Sequence, residues 1–447
     1  MQFLKKNFYI ISITILVLFV AMILIFRKPV PEIPPLKNRI GAIGMGSEWT
    51  NTRQTIDALL EKIRQQPNDP KLKITLAQAY IQEARITGDH AYYDPAVIKI
   101  LNAVLQKDPN NIEALTTLAT AYLSQHHFDT GLQIGKQAQK VAPMTSMVYG
   151  ILTDAYVELG KYDSAVMMAD KMCAIRPDLR SYSRISYVRE IYGDYPGATA
   201  AMKMAVQAGY PGLEQTAWVR CYLGKLYEIT GNLDSASLHY QIALGERPNY
   251  AYAIAGLGRV ALAKKNYAEA IKDYEEANSL IKDNAFGDEL VDLYTDNHET
   301  KKADSLMEEV IKDLNAQANS NDNDPNAGHY ADKELAYAYL KLKQNDQALK
   351  HAEIEYNRRP DNIEINEMMS WVYYKRGEYA KSLPYIEKAM RTGSQNAVML
   401  CRAGLIYEKN NNPQKGTVLI KRASTINPYL PQDLITEATP YMPLAGN

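Results

Sequence analysis

The chain of 447 residues carries 50 basic and 51 acidic side chains, so its formal net charge at pH 7 is -1. This balance provides no long-range attraction to nucleic acid, and we expect no nucleic-acid partner. The three cysteines, Cys173, Cys221 and Cys401, stand far apart without a CxxC pair, which argues against a disulfide framework or a cysteine-based zinc site. With 32 Tyr against 6 Phe and 3 Trp, the aromatic content suits helix surfaces and interfaces.

An apolar run predicts one N-terminal transmembrane helix within residues 1–28. Residues 8–26, "FYIISITILVLFVAMILIF", contain no charge and are flanked by Lys5 and Lys6 before and by Arg27 and Lys28 after. At about 1.5 Å per residue, this run nearly matches a hydrocarbon core of roughly 30 Å. No small-residue cleavage site follows it, so we expect an uncleaved membrane anchor.

The orientation of this anchor stays open, because basic residues flank it on both sides. The short basic tail ahead of the apolar run favours an inner-membrane protein with periplasmic repeats, and a cytoplasmic orientation is the alternative. Residues 29–50 are rich in proline and then in glycine, which predicts an extended linker.

Small and aromatic residues then recur with a spacing near 34. In "CYLGKLYEITGNLDSASLHYQIALGERP", residues 221–248, the pattern consists of Gly224, Tyr227, Ala236, Tyr240 and Pro248. Small residues at fixed points let two helices cross closely, the aromatic rings fill the space left between them, and the proline ends the second helix. About ten such units in register predict helix pairs stacked into a solenoid.

These motifs resemble the tetratricopeptide repeat (TPR) family, whose 34-residue unit carries L-G-x-x-Y, A-x-x-x-F and a terminal Pro. "LGKLY" and "ASLHY" match this pattern with Tyr240 in place of Phe, whereas the Trp near the motif's start is absent, Glu190 falls in the fourth unit and Lys282 replaces a terminal Pro. The resemblance covers residues 67–430. It implies an all-α fold, an α-solenoid of about ten helix-turn-helix repeats over residues 51–430, with a C-terminal tail at 431–447.

The stretches "TGDHAYYDPA", "GYPGLEQTAWVRCYLGKLY" and "INPYLP" also resemble a group of bacterial envelope TPR proteins, mostly of unassigned role. This resemblance implies a location at the cell envelope and adds no chemistry.

The TPR resemblance further implies a concave surface, lined by the first helix of each pair, on which a peptide or a partner helix lies. Aromatic residues there would give contact area, and basic residues would select an acidic or carboxylate-bearing segment. In this sequence, the predicted partner-binding groove consists of Trp218, Lys225, Tyr252, Arg259, Tyr330, Lys333, Tyr337, Trp371, Tyr374 and Lys375. The alternative for the two tryptophans is burial between helix pairs.

Catalytic chemistry has one candidate place, the loop at residues 87–96 with Asp89, His90 and Asp94. A histidine between carboxylates can bind a metal or transfer protons. The structural interpretation, in which these residues bound helices and His90 faces solvent, is preferred. His126 and His127 fall in a turn and are expected to face solvent. We therefore predict no catalytic, cofactor-binding or metal-binding residue and no enzymatic activity.

The predicted function is a membrane-anchored scaffold or adaptor that binds a protein or peptide partner at the cell envelope. One alternative is a periplasmic assembly factor resembling the TPR subunit of cytochrome c maturation, and another is a hydrolase that uses the 87–96 loop. The sequence leaves the identity of the partner and the oligomeric state open.

Overall fold

The structure, a computed structural model, describes residues 12, 13, 15–19, 33–318 and 328–441. The chain divides into two compact units, residues 1–37 and 38–447. In the first unit, residues 12, 13 and 15–19 are helical, and the remainder of the predicted anchor lies outside the described residues. Among the described residues, no helix has both the length and the apolar character required to cross a membrane.

The second unit is a succession of α-helices, and its described residues contain no strand. This confirms the prediction of an all-α chain. The helices are α1 (Ser47–Gln65), α2 (Pro70–Thr87), α3 (His90–Leu105), α4 (Ile112–Ser124), α5 (Phe128–Val141), α6 (Ser146–Glu158), α7 (Tyr162–Ile175), α8 (Leu179–Ile191), α9 (Tyr195–Gln207), α10 (Glu214–Ile229), α11 (Leu233–Glu246), α12 (Ala251–Ala263), α13 (Tyr267–Leu280), α14 (Asn284–Asp296), α15 (Thr300–Ala318), α16 (Asp332–Lys341), α17 (Asn345–Arg358), α18 (Ile363–Lys375), α19 (Tyr379–Ala389), α20 (Ala397–Lys409), α21 (Pro413–Ile426) and α22 (Gln432–Ala438).

Helices α2 to α21 form ten helix-turn-helix pairs, as the repeat spacing predicts. The turn inside every pair contains one residue with a positive φ angle. Glycine adopts this left-handed conformation without steric cost, and other residues adopt it at some cost. In chain order, the ten turn residues are Gly88, His126, Gly160, Gly193, Gly231, Lys265, His298, Lys343, Gly377 and Asn411.

The small residues of the repeat make room for the aromatic ones. A Cβ atom added to Gly224 would lie 2.7 Å from the ring of Tyr240, and one added to Gly256 would lie 2.5 Å from the same ring. Tyr240 of α11 is therefore held between α10 and α12. Ala236 and Ala243 of α11 are fully buried beside it. This arrangement confirms the complementarity of small and aromatic residues that the sequence predicts.

The solenoid contacts itself along a line that we call the seam. At the seam, the turn inside one helix pair meets the loop that precedes the sixth pair after it. Tyr330 N donates to Gln125 O at 3.2 Å, Asn362 Nδ2 donates to Glu158 O at 3.0 Å, and Thr392 Oγ1 donates to Ile191 O at 2.9 Å. These contacts join residues 201 to 205 positions apart. Because each unit has about 34 residues, one turn of the coil takes six units, and successive turns touch.

Apolar packing also crosses the seam, and both ends of the coil are covered. One core cluster joins Val157 and Val188 of the third and fourth pairs to Ile363 of the ninth. At the C-terminal end, Leu434 and Ala438 of α22 are buried in that same cluster. Exposed apolar faces at the ends of a repeat array require such covering elements.

At the N-terminal end, part of the predicted linker packs against the repeats instead of extending into solvent. The Arg39 side chain is buried and pairs with Glu83 of α2 at 2.6 Å and with Glu48 of α1 at 2.7 Å. Arg247 pairs with Glu48 at 2.6 Å, so α1 is tied to the loop before the sixth pair. Residues 38–46 therefore belong to the packed unit.

Candidate partner-binding surface

The first helices of successive pairs share one continuous face, which we call the inner face. Their side chains pair directly with each other and bypass the second helices. Arg184 of α8 pairs with Asp154 of α6 at 2.5 Å, and the Tyr222 hydroxyl of α10 donates to Glu190 of α8 at 2.8 Å. The inner face is therefore polar and is cross-linked by charge.

The same face opposes itself across the coil. Lys333 of α16 pairs with Glu364 of α18 at 2.7 Å. The positive charge of Lys333 contributes most to lowering the pKa of Glu364 to about 2. Arg359 and Lys225 lower this pKa further, whereas burial of the carboxyl raises it. Since Lys225 lies on α10, four pairs before α18, its influence on Glu364 means that distant repeats face one another across the interior.

An aromatic and basic stripe lies on α10, at residues 218, 222 and 225. Trp218 is 37% exposed, and its ring lies 5.4 Å from that of Tyr222. Lys225 Nζ lies 5.6 Å from the centre of the Tyr222 ring. Lys225 is exposed and makes no ion pair within the described part of the chain. Because these positions follow the i, i+4, i+7 spacing, all three side chains lie on one side of the helix.

Arginines cluster at the start of α8. Arg184 pairs with Asp154 at 2.5 Å, Arg85 pairs with Glu214 at 3.1 Å and Arg176 pairs with Asp178 at 3.2 Å. Arg180 is exposed and makes no ion pair among the described residues, and its pKa is lowered first by burial and then by Arg184, Arg85 and Arg176, although Asp178 opposes the shift. Arg180 is therefore the guanidinium here that can bind an anionic ligand.

Three residues of the predicted groove do not contribute to an open surface, so the expectation of accessible side chains is wrong for them. Trp371 is 3% exposed and Tyr374 is 8% exposed, with their rings stacked 4.7 Å apart. Lys375 lies 4.6 Å from the Trp371 ring and pairs with Glu437 of α22. The C-terminal helix covers this region, which corresponds to the burial alternative for Trp371.

Tyr330 also lies elsewhere than expected, because it precedes α16 and belongs to the seam. Its ring stacks 3.8 Å from the ring of His127, and the guanidinium carbon of Arg358 lies 3.8 Å from its centre. A ring held between two such groups stabilises the coil.

The other predicted residues line the inner face but already have partners. The Tyr252 hydroxyl donates to Asp283 at 3.0 Å, Arg259 pairs with Glu228 at 2.9 Å, and the Tyr337 hydroxyl accepts from Arg402 at 3.4 Å. Like Lys333, these groups join different helix pairs. The structure therefore leaves Trp218 and Lys225 as the accessible members of the predicted set.

Sequence reasoning missed Tyr187, Tyr222, Arg180 and Arg184 on the inner face. Tyr222 follows Trp218 by four positions, a helical spacing that would have identified it. In the sequence, Glu190 stands out only as a departure from the repeat pattern. In the structure it accepts the Tyr222 hydroxyl, so it contributes to the inner-face network.

Both histidine loops differ from expectation. Asp94, which was expected to bound a helix, is buried inside α3, and His90 is half-buried instead of facing solvent. His90 Nδ1 lies 3.0 Å from Asp94 Oδ2, and the Ser124 hydroxyl donates to the same oxygen at 2.6 Å. Because the hydroxyl contacts the carboxylate instead of the imidazole, this group lacks the nucleophile–base contact of a hydrolase. The expectation that His126 and His127 face solvent is wrong: His127 is buried, His126 is half-buried, and both contact the loop before α16.

Comparisons with known proteins agree with the repeat architecture. A tetratricopeptide repeat family model matches residues 223–280, and the model of the ChAPs family (Chs5p-Arf1p-binding proteins) matches residues 46–179. A search of the curated proteins gave no match.

Several solved structures are similar to this chain. The thermophilic TPR protein TTC0263 of Thermus thermophilus is 22% identical, with 43% of this chain and 100% of that chain covered and a TM-score of 0.39. The human IFIT1 dimer with PPP-AAAA is 15% identical over 78% of this chain and 80% of that chain, with a TM-score of 0.43. A TPR protein from Parabacteroides merdae is 16% identical over 59% of this chain and 98% of that chain, with a TM-score of 0.35.

Proposed function

We propose that this chain, a tetratricopeptide repeat protein, is a membrane-anchored scaffold that binds an extended acidic segment of a partner protein along its inner face. The observation that carries the proposal is the accessible stripe of Trp218, Tyr222 and Lys225 on α10. Helical repeats of this type are suited to protein binding.

The chemistry of the stripe supports an acidic ligand. Tryptophan, tyrosine and arginine dominate binding hot spots, where truncation costs about 2 kcal/mol or more. Lys225 and Arg180 supply positive charge on an inner face whose other cations, such as Lys333, are already paired with carboxylates.

The anchor and the location form part of the same proposal. Residues 8–26 are uncharged over a length that matches the bilayer core, and the proline-rich stretch after them would hold the repeats away from the membrane. We place the repeats on the periplasmic side. Full-length protein should remain in membranes after carbonate washing, and externally added protease should degrade the repeats in spheroplasts. Extraction by carbonate, or protection from the protease, would contradict this part.

Partner capture tests the binding surface. Full-length protein carrying Trp218→Ala or Lys225→Glu should recover at least tenfold less of the partner that wild-type protein captures from cross-linked membranes. The control is Leu238→Ala on α11, which removes a side chain 53% exposed on a second helix. Melting curves must coincide with wild type. Undiminished capture by both inner-face variants would refute the proposal.

A further inference from the structure

We propose that His126, His329 and Glu334 form a Zn²⁺ site that clamps the seam between the second pair and the loop before the eighth. The site is independent of the partner-binding function and goes beyond it. No metal site was expected from the sequence, because the ligands come from parts of the chain about two hundred residues apart.

The donor atoms already converge. Each of the three residues offers one ligand atom, and these atoms all lie within 4.8 Å of one another. Two donors on one tetrahedral Zn²⁺ ion with bonds of about 2.0–2.1 Å lie roughly 3.3 Å apart. Side-chain movements of about 1 Å are therefore enough to close the site. Two imidazoles and one carboxylate form a donor set that suits Zn²⁺, with the fourth position left for water.

A hydrogen bond prepares the His126 ring for coordination. His126 Nδ1 lies 3.0 Å from the backbone carbonyl oxygen of Tyr330. A carbonyl oxygen only accepts hydrogen bonds, so Nδ1 carries the proton and Nε2 keeps a free lone pair. Metal-binding histidines commonly donate their other N–H to a carbonyl in this way. The ring of His329 lies 4.2 Å from that of His126.

An unsatisfied carboxylate oxygen supplies a second, independent observation. Glu334 Oε2 is buried and has no hydrogen-bond partner among the described residues. Leaving such an atom unpaired costs free energy, because water no longer solvates it. A divalent cation bound by the two imidazoles would give this oxygen a partner.

The site would act on the coil and not on a substrate. His126 lies in the turn between α4 and α5, whereas His329 and Glu334 lie just before and inside α16. An ion shared among them joins two successive turns of the coil, in addition to the hydrogen bond from His127 Nε2 to Gly328 O at 2.6 Å. Since the ion binds only the closed coil, it should raise stability by mass action.

Zn²⁺ titration of full-length protein tests the site. The protein is purified through a tag without histidine, stripped with EDTA and titrated by calorimetry, and Co²⁺ is used to report tetrahedral coordination by visible absorption. Wild type should bind one Zn²⁺ and melt at a higher temperature with it. His126→Asn and Glu334→Gln should each weaken Zn²⁺ binding at least tenfold and abolish the rise in melting temperature.

The matched control is His298→Asn, because His298 occupies the same position in the turn of the seventh pair, is exposed and also has a positive φ angle of 62°. This variant should bind Zn²⁺ like wild type. If wild type takes up no Zn²⁺, or if the control weakens binding as much as His126→Asn does, the proposal is wrong. Should His126→Asn fail to fold, the nearly isosteric Glu334→Gln still decides the question.

Discussion

The seam makes a quantitative prediction at Gly160, the turn residue of the third pair. Its φ angle is +71°, and an added Cβ would lie 2.1 Å from the backbone oxygen of Asp361 in the loop before the ninth pair. Gly377 occupies the same position in the ninth pair with a φ angle of +77°, but an added Cβ there has no neighbour within 4 Å. Alanine at either position must adopt the left-handed conformation, which lowers the unfolding free energy by about 1–2 kcal/mol. Only Gly160→Ala also forces two backbone segments apart, which should cost about 1–3 kcal/mol more.

Urea denaturation and small-angle X-ray scattering distinguish the two variants. Gly160→Ala should lower the unfolding free energy by about 2–5 kcal/mol and increase the radius of gyration, because the coil opens where its turns no longer meet. Gly377→Ala should lower the unfolding free energy by about 1–2 kcal/mol and leave the radius unchanged. Equal losses of stability with unchanged radii in both variants would refute the seam.

Two further predictions concern the helix interfaces and the inner face. Gly224→Ala should destabilise the protein by about 0–2 kcal/mol, because overpacking against Tyr240 outweighs a gain in helix propensity of about 1 kcal/mol. Gly245→Ala on α11 should stabilise the protein, because an added Cβ there meets nothing within 4 Å. If the urea midpoints of both variants change in the same direction, this reasoning is wrong. Glu364, with a folded pKa of about 2 against 4.5 for the free group, contributes stability above pH 4.5 that is lost as the pH falls through 2. Glu364→Gln should therefore lower the melting temperature at pH 7 and have little effect near pH 2. The decrease in melting temperature should be modest, because Glu364 and Lys333 are both partly exposed. A decrease that is larger at pH 2 than at pH 7 would contradict the low pKa of Glu364.

The repeat architecture could be predicted because its signals are local. The spacing of 34 residues and the small-to-aromatic complementarity, as in Gly224 and Tyr240, are both encoded within one or two units, so they can be recognised without knowledge of the rest of the chain. The structure confirms the helices and their pairing.

The closure of the coil could not be predicted, because it depends on small rotations between pairs that accumulate over six units. The sandwiching of Tyr330 and the contacts of His126 follow from that closure, whereas Trp371 is buried by α22, the helix that covers the C-terminal end. The pattern of a single repeat does not indicate that another part of the chain will cover these side chains. Trp218 stays accessible because the structure places no such contact over it.

Photo-cross-linking in living cells tests whether a partner segment lies along the inner face. A photoreactive amino acid replaces Lys225 on the inner face or, in a separate strain, Leu238 on the outer surface of α11, both in full-length protein. We expect position 225 to form a cross-link to an acidic segment of a partner protein and position 238 to form none. A partner cross-linked from position 238 and never from position 225 would contradict it.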